Sequence, residues 1–121
     1  MNRLLVLAAL ASVSFLSPAQ AQTVLHARTG AELAELCGSK PTDAASTARL
    51  NFCLGYAQAT LDAAAKQAGG KKSYCIPTPS PTRQATMAEF ATWVRSTPPA
   101  TGANSQEALT RFMAQRFPCK P

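Results

Sequence analysis

Histidine is almost missing from this chain of 121 residues: there is one, His26. Tryptophan is also single, Trp93, and six acidic side chains face twelve basic ones. No two cysteines stand in a C-x-x-C pair, so the close ligand spacing of a structural zinc site is missing. General acid–base chemistry needs titratable groups brought together and tuned. Here the only histidine lies near the start, and Glu32, Glu35, Asp43, Asp62, Glu89 and Glu107 are scattered. No phosphate loop or nucleophile–base motif is present. The expectation is a chain with no catalytic, cofactor or metal site. Aromatics do not interleave with the one basic doublet, Lys71-Lys72, which argues against nucleic-acid binding.

One long apolar run exists, Leu4 to Leu16, behind Met1-Asn2-Arg3 and ahead of Pro18-Ala19-Gln20-Ala21. A short basic start, an apolar stretch under the roughly 20 residues of a membrane span, and an A-x-A site define a secretory signal. Cleavage is expected after Ala21. That leaves a flexible N-terminal segment at 22–29 and one helical domain at 30–121, exported to the periplasm and not inserted in the membrane. Loss of Arg3 takes one positive charge from the formal +6. Mild, scattered basicity of this kind is first of all a solvated surface, with steering of an acidic protein partner as the alternative.

All four cysteines, Cys37, Cys53, Cys75 and Cys119, fall after the signal. An even count in a small exported chain implies a disulfide framework. Pairing Cys37 with Cys53 and Cys75 with Cys119 is preferred because the first bond would staple a helical hairpin. Loop-closure entropy assigns these about 3 and 4 kcal/mol. Cys37–Cys75 with Cys53–Cys119 would stabilise comparably, so energy leaves the choice open.

The apolar periodicity predicts an all-α, compact four-helix domain, with room for a fifth helix. The first helix, Gly30 to Cys37, opens on a Thr29/Glu32 capping box and stops at Gly38. The second, Ala45 to Ala68, carries Leu50, Cys53, Leu54, Ala57, Leu61 and Ala64 at three- and four-residue spacing. It ends at Gly69-Gly70 and, with its wide apolar arc, is expected to be central. Gly55 inside it is explained by close packing of another helix or by tolerance of an exposed glycine, and Asp62 is expected to be buried and hydrogen-bonded between two helices. After a Pro-rich link, a third helix runs from Thr82 to Arg95 with Met87, Phe90, Ala91 and Val94 inward and Trp93 at the edge. Thr97 to Gly102 reads as a loop. A fourth helix starts near Ser105, capped by Asn104 with Glu107 as its N3 partner, and presents Leu109, Phe112 and Met113.

The order of motifs is more specific than any one of them. Phe52-Cys53-Leu54-Gly55-Tyr56 precedes Asp62-Ala63 on one helix; Cys75-Ile76-Pro77, Gln84, Ala108-Leu109 and Phe117-Pro118-Cys119 follow. In this the chain resembles the Rap/Tai family of periplasmic immunity proteins, with their FCxGY…DA helix, C-x-P link and closing FPC. The resemblance spans Leu33 to Cys119. It departs at Ala59, where the family often has glycine, at Ala85, where it often has leucine, and at Thr97-Pro98-Pro99, which replaces a His-Pro-Glu turn.

The resemblance implies a small, commonly dimeric helical protein. It would bind a peptidoglycan amidase effector delivered by type VI secretion and block it sterically. Phe52, Gly55, Tyr56, Asp62, Pro77 and Pro118 are then structural motif residues. Trp93 and Arg95, of the residue types that dominate binding hot spots, are candidate partner contacts together with Pro98 and Pro99. The competing expectation is a stress-protective or chaperone-like periplasmic helical protein without an effector.

Overall fold

The computed structural model describes residues 23–121; the signal segment expected at 1–21 lies outside them. Five helices follow in order: α1 Gly30–Cys37, α2 Ala44–Gln67, α3 Arg83–Ser96, α4 Pro98–Thr101 and α5 Ser105–Arg116. The all-helical class is therefore as expected.

Local chemistry accounts for each boundary. Thr29 and Glu32 form the anticipated reciprocal capping box at α1. The Arg28 N–H donates to Glu32 Oε2 at 2.7 Å, and that bond holds the Glu32 carboxyl below its usual range. A second box opens α2: the Ser46 N–H donates to Asp43 Oδ1 at 2.7 Å, and the Ser46 hydroxyl accepts from the Asp43 N–H. The Ser46 amide is also the main reason the Asp43 carboxyl titrates low. At the far end of α2, Gly69 and Gly70 take φ of 67° and 87°. Only glycine enters that region without strain. It lets the Gly70 and Gly69 amides bond the Ala65 and Lys66 carbonyls, a Schellman closure.

The core is not centred where the sequence places it. The short helix α1 packs against each of the other four and buries Leu33, Ala34, Leu36 and Cys37. These share one core with Met87, Phe90, Ala91 and Val94 of α3 and Ala108, Leu109, Phe112 and Met113 of α5. The long helix α2 buries only Leu50, Cys53 and Ala57, while Leu54, Leu61 and Ala64 are half-buried. The expectation of a central α2 is thus corrected: α2 is apolar on both sides, and only one side is covered.

The stretch Thr97 to Gly102, expected as a loop, holds the one-turn helix α4 with Pro98 at its first position. Proline's fixed φ suits that position, and its missing N–H costs nothing there. Ala100 of this turn is fully buried. Its carbonyl oxygen sits so close to Gly30 that a Cβ there would collide with it.

Residues 22–29, expected to be flexible, are anchored at their described end. Ala27 is buried, the Ser105 N–H donates to the Arg28 carbonyl at 3.0 Å, and the Gly30 N–H donates to the Ala103 carbonyl at 2.9 Å.

Two disulfides close the structure, Cys37–Cys53 and Cys75–Cys119, with Cα separations of 5.1 and 4.9 Å. The first lies in the core and ties α1 to α2. The second is exposed, and beside it the Cys75 N–H donates to the Phe117 carbonyl at 2.8 Å. It lashes the link between α2 and α3 to the segment after α5.

Candidate functional site

Three surfaces remain once the core is assigned. The first surrounds Trp93. Its ring packs at the edge of the core, 5.6 Å from Phe112 and 6.4 Å from Phe90 between centroids. Its Nε1–H donates to Gln115 Oε1 at 3.2 Å. Trp93 is half-buried and borders a shallow depression with Ala88, Glu89, Thr92, Phe112 and Arg116. Arg116 is pinned there: its Nε–H donates to Glu89 Oε2 at 2.5 Å, which raises the guanidinium pKa further.

Arg95 does not join that surface. Two residues apart on a helix means about 200° around the axis, and Arg95 points instead to the end of α1. A Cβ added to Gly38, the C-cap of α1, would lie 3.2 Å from Arg95 Nη1. A cation there complements the negative end of the helix dipole. Arg49 flanks the same end, with Nε–H donating to Ser39 Oγ at 3.2 Å and Nη2 to Glu35 Oε1 at 2.9 Å. Pro98 and Pro99 are exposed at the start of α4.

The second surface is the uncovered side of α2. Ala48, Phe52, Gly55 and Ala59 are all exposed and fall on one stripe at three- and four-residue spacing. Phe52 stacks on Tyr56 with centroids 6.2 Å apart. Nothing lies within 4 Å of a Cβ built at Gly55, so of the two explanations for Gly55 the structure shows the exposed glycine and no close approach of another helix. Asp62 is also exposed rather than buried. Its carboxylate accepts from Gln58 Nε2, 2.9 Å from both oxygens, and Gln58 Oε1 accepts from Arg83 Nη1 of α3 at 3.0 Å. Asp62 does contribute to a connection between two helices, but through Gln58 and in solvent.

The third surface was not anticipated. A cleft of about 260 Å³ opens between α2, α3 and the disulfide-held link. Sequence reasoning missed it because its walls come from segments far apart in the chain. One signal was present: Tyr74 and Ile76 flank Cys75, and large apolar residues beside a cysteine in a Pro-rich link have nothing local to cover them.

The remaining motif residues lie elsewhere. Tyr56 sends its hydroxyl to Ser105 Oγ at 2.6 Å. Pro77 and Pro118 flank the exposed disulfide, and both are exposed. His26 is exposed. Among the described residues no group of three or more His, Cys, Asp or Glu side chains could hold a metal ion. No helix among them is long and apolar enough to cross a membrane.

No curated protein and no solved structure matches the chain significantly. The model of the family described as Rap1a immunity proteins matches residues 29–119. That interval begins at the capping threonine of α1 and ends on the cysteine of the second disulfide, taking in every helix described above. The chain belongs to the Rap1a immunity protein family.

Proposed function

We propose that this protein is exported to the periplasm and there binds a peptidoglycan amidase effector delivered by type VI secretion, blocking it by occupying its surface. The observation that carries the reading is the family match across the whole helical block. The block's construction supports it: two disulfides and an anchored start hold the surface rigid before binding, which lowers the ordering cost of association. The chain acts in this reading without catalysis. The signal segment is 1–21, and 30–121 is the binding domain.

The effector-contacting region is assigned to Trp93 and the exposed Pro98-Pro99 turn. Trp93 offers a large ring already held by Phe90 and Phe112, so little entropy is lost when it is covered. A homodimer is assigned to the outer stripe of α2, where Phe52 would pack across from the gap at Gly55 of the second copy.

The test is calorimetry between the mature chain and a secreted amidase encoded beside its gene, with release of peptidoglycan fragments followed in parallel. Tight binding and full inhibition are expected. Trp93→Ala should weaken binding by tenfold or more. An unaltered affinity would move the contact elsewhere, and inhibition absent at saturating chain would remove the immunity reading. For the dimer, light scattering should show Phe52→Glu to be a monomer; an unchanged mass would reject the α2 interface.

A further inference from the structure

The cleft between α2 and α3 is floored by Met87 and Met113, each almost fully buried, and walled by Leu54, Leu61 and Tyr74. Ile76 stands at its mouth with 46 % of its surface exposed. It is one of three large hydrophobic residues left exposed among the described residues. Packing alone gives Ile76 no reason to stand there.

The polar rim is unequal in charge. Lys72 and Arg83 are cationic and Asp62 is anionic. Asp62 is turned to Gln58, which bonds both its oxygens. Arg83 touches only the neutral amide oxygen of Gln58. Lys72 Nζ lies 5.9 Å from the centroid of the Tyr74 ring. Neither cation has a carboxylate within ion-pair distance among the described residues. The mouth therefore carries two cations whose charge is not neutralised by contact.

Size narrows the occupant. At about 260 Å³ the cleft falls below the roughly 300–1,000 Å³ of sites for drug-sized ligands, and it suits one large apolar side chain. A methionine floor can adjust to the shape of that side chain. Complementary charge at a rim selects the partner and its register. We infer that this cleft is a docking pocket for a leucine- or phenylalanine-sized side chain of a protein partner, carried on an acidic segment whose carboxylates face Lys72 and Arg83. The inference rests on the reading of the chain as a protein-binding module and adds to it a contact separate from Trp93.

The experiment uses the mature, disulfide-bonded chain labelled with ¹⁵N. It is titrated with the capped tripeptide Glu-Leu-Glu to concentrations on the order of 10 mM, as weak single-pocket binding requires. Saturable amide shifts confined to residues lining the cleft, among them Leu54, Leu61, Tyr74, Ile76 and Met87, are expected. The Lys-Leu-Lys peptide should produce shifts at least about tenfold weaker. The double variant Lys72→Gln/Arg83→Gln, whose changed residues are exposed and leave the core intact, should lose that preference. Shifts scattered over the surface, equal response to both peptides, or no saturation would overturn the proposal. Binding of an amidase by the unaltered chain is measured separately. Failure of the pocket therefore remains distinct from failure of the immunity reading.

Discussion

The hydroxyl of Tyr56 lies 2.6 Å from Oγ of Ser105, and the direction of that bond is settled by what Ser105 does next. Ser105 Oγ also contacts the carbonyl oxygen of Ala27, which can only accept. A serine hydroxyl has one proton, so it goes to Ala27 and Tyr56 donates. The relay joins α2, the first turn of α5 and the segment ahead of α1 at a point where Ser105 is 1 % exposed.

Breaking the relay at its two positions should cost different amounts. Tyr56→Phe removes one bond and leaves Ser105 still paired with Ala27, a loss of about 1 kcal/mol. Ser105→Ala strips both neighbours of their partner and should cost about 2–3 kcal/mol. Denaturant unfolding of the single and double variants gives the coupling directly. Equal costs, or independent ones, would refute the directional relay.

Two glycines should respond to alanine with opposite signs. At Gly30 a methyl collides with the Ala100 carbonyl and comes within 3.1 Å of the Ala108 Cβ. Crowding of this kind costs about 1–3 kcal/mol. At Gly55 the space is open, and in mid-helix alanine is favoured by about 1 kcal/mol. Thermal melts should place Gly30→Ala below and Gly55→Ala above the parent. A destabilised Gly55→Ala measured at dilution that keeps the chain monomeric would show that something packs against that position after all.

The two disulfides should open in a fixed order. Cys37 and Cys53 are 2 % and 0 % exposed, while Cys75 and Cys119 are both exposed. A reductant reaches the second bond without unfolding the core. Alkylation and mass spectrometry during mild reduction should label Cys75 and Cys119 first. Replacing a whole pair with alanine should cost about 3 kcal/mol for the first and about 4 kcal/mol for the second on loop entropy. The buried pair loses packing besides.

Acid should weaken the fold only gently. Asp43 and Glu32 titrate below their ordinary values because helix-cap amides bond their charged forms. Such groups stabilise the fold above the unfolded-state pKa, and that contribution disappears as pH falls through the folded one. Asp43 is exposed and Glu32 only half-buried, so screening keeps the effect small. Circular dichroism should show stability flat from neutrality down to the carboxylate range, then declining, with a smaller decline in Asp43→Asn. A dye that reports exposed apolar surface should stay dark at pH 2–3. Strong dye binding there would instead favour the acid-opened, chaperone-like reading.

What the sequence made legible was local. Thr29 and Glu32 cap α1 within three residues of each other, and the Met87–Phe90–Ala91–Val94 stripe needs only the helical period. The Asp43–Ser46 box went unread because serine stands where glutamate or glutamine is usual. In α5, Asn104 caps Gln106, but Glu107 turns away to Arg111 at 2.5 Å instead of completing a box. The larger errors concern which side of a helix is covered. Periodicity relates residues within α2 to one another; it does not say that α1 and α3 cover Cys53 and Ala57 and leave Phe52, Gly55 and Asp62 outside. The cleft was illegible for the same reason, since Leu54, Tyr74, Met87 and Met113 meet only when four segments converge.

Because the hub of the core is the eight-residue α1, the longest helix is a peripheral rail. Its exposed positions outside the shared motif can be rewritten residue by residue at small thermodynamic cost. The exposed side chains of Ala48, Asn51 and Lys66, which lie outside the shared motif, could be exchanged without rebuilding the interior. Divergence among relatives should therefore gather at the exposed positions of that rail outside the shared motif and leave the short hub alone.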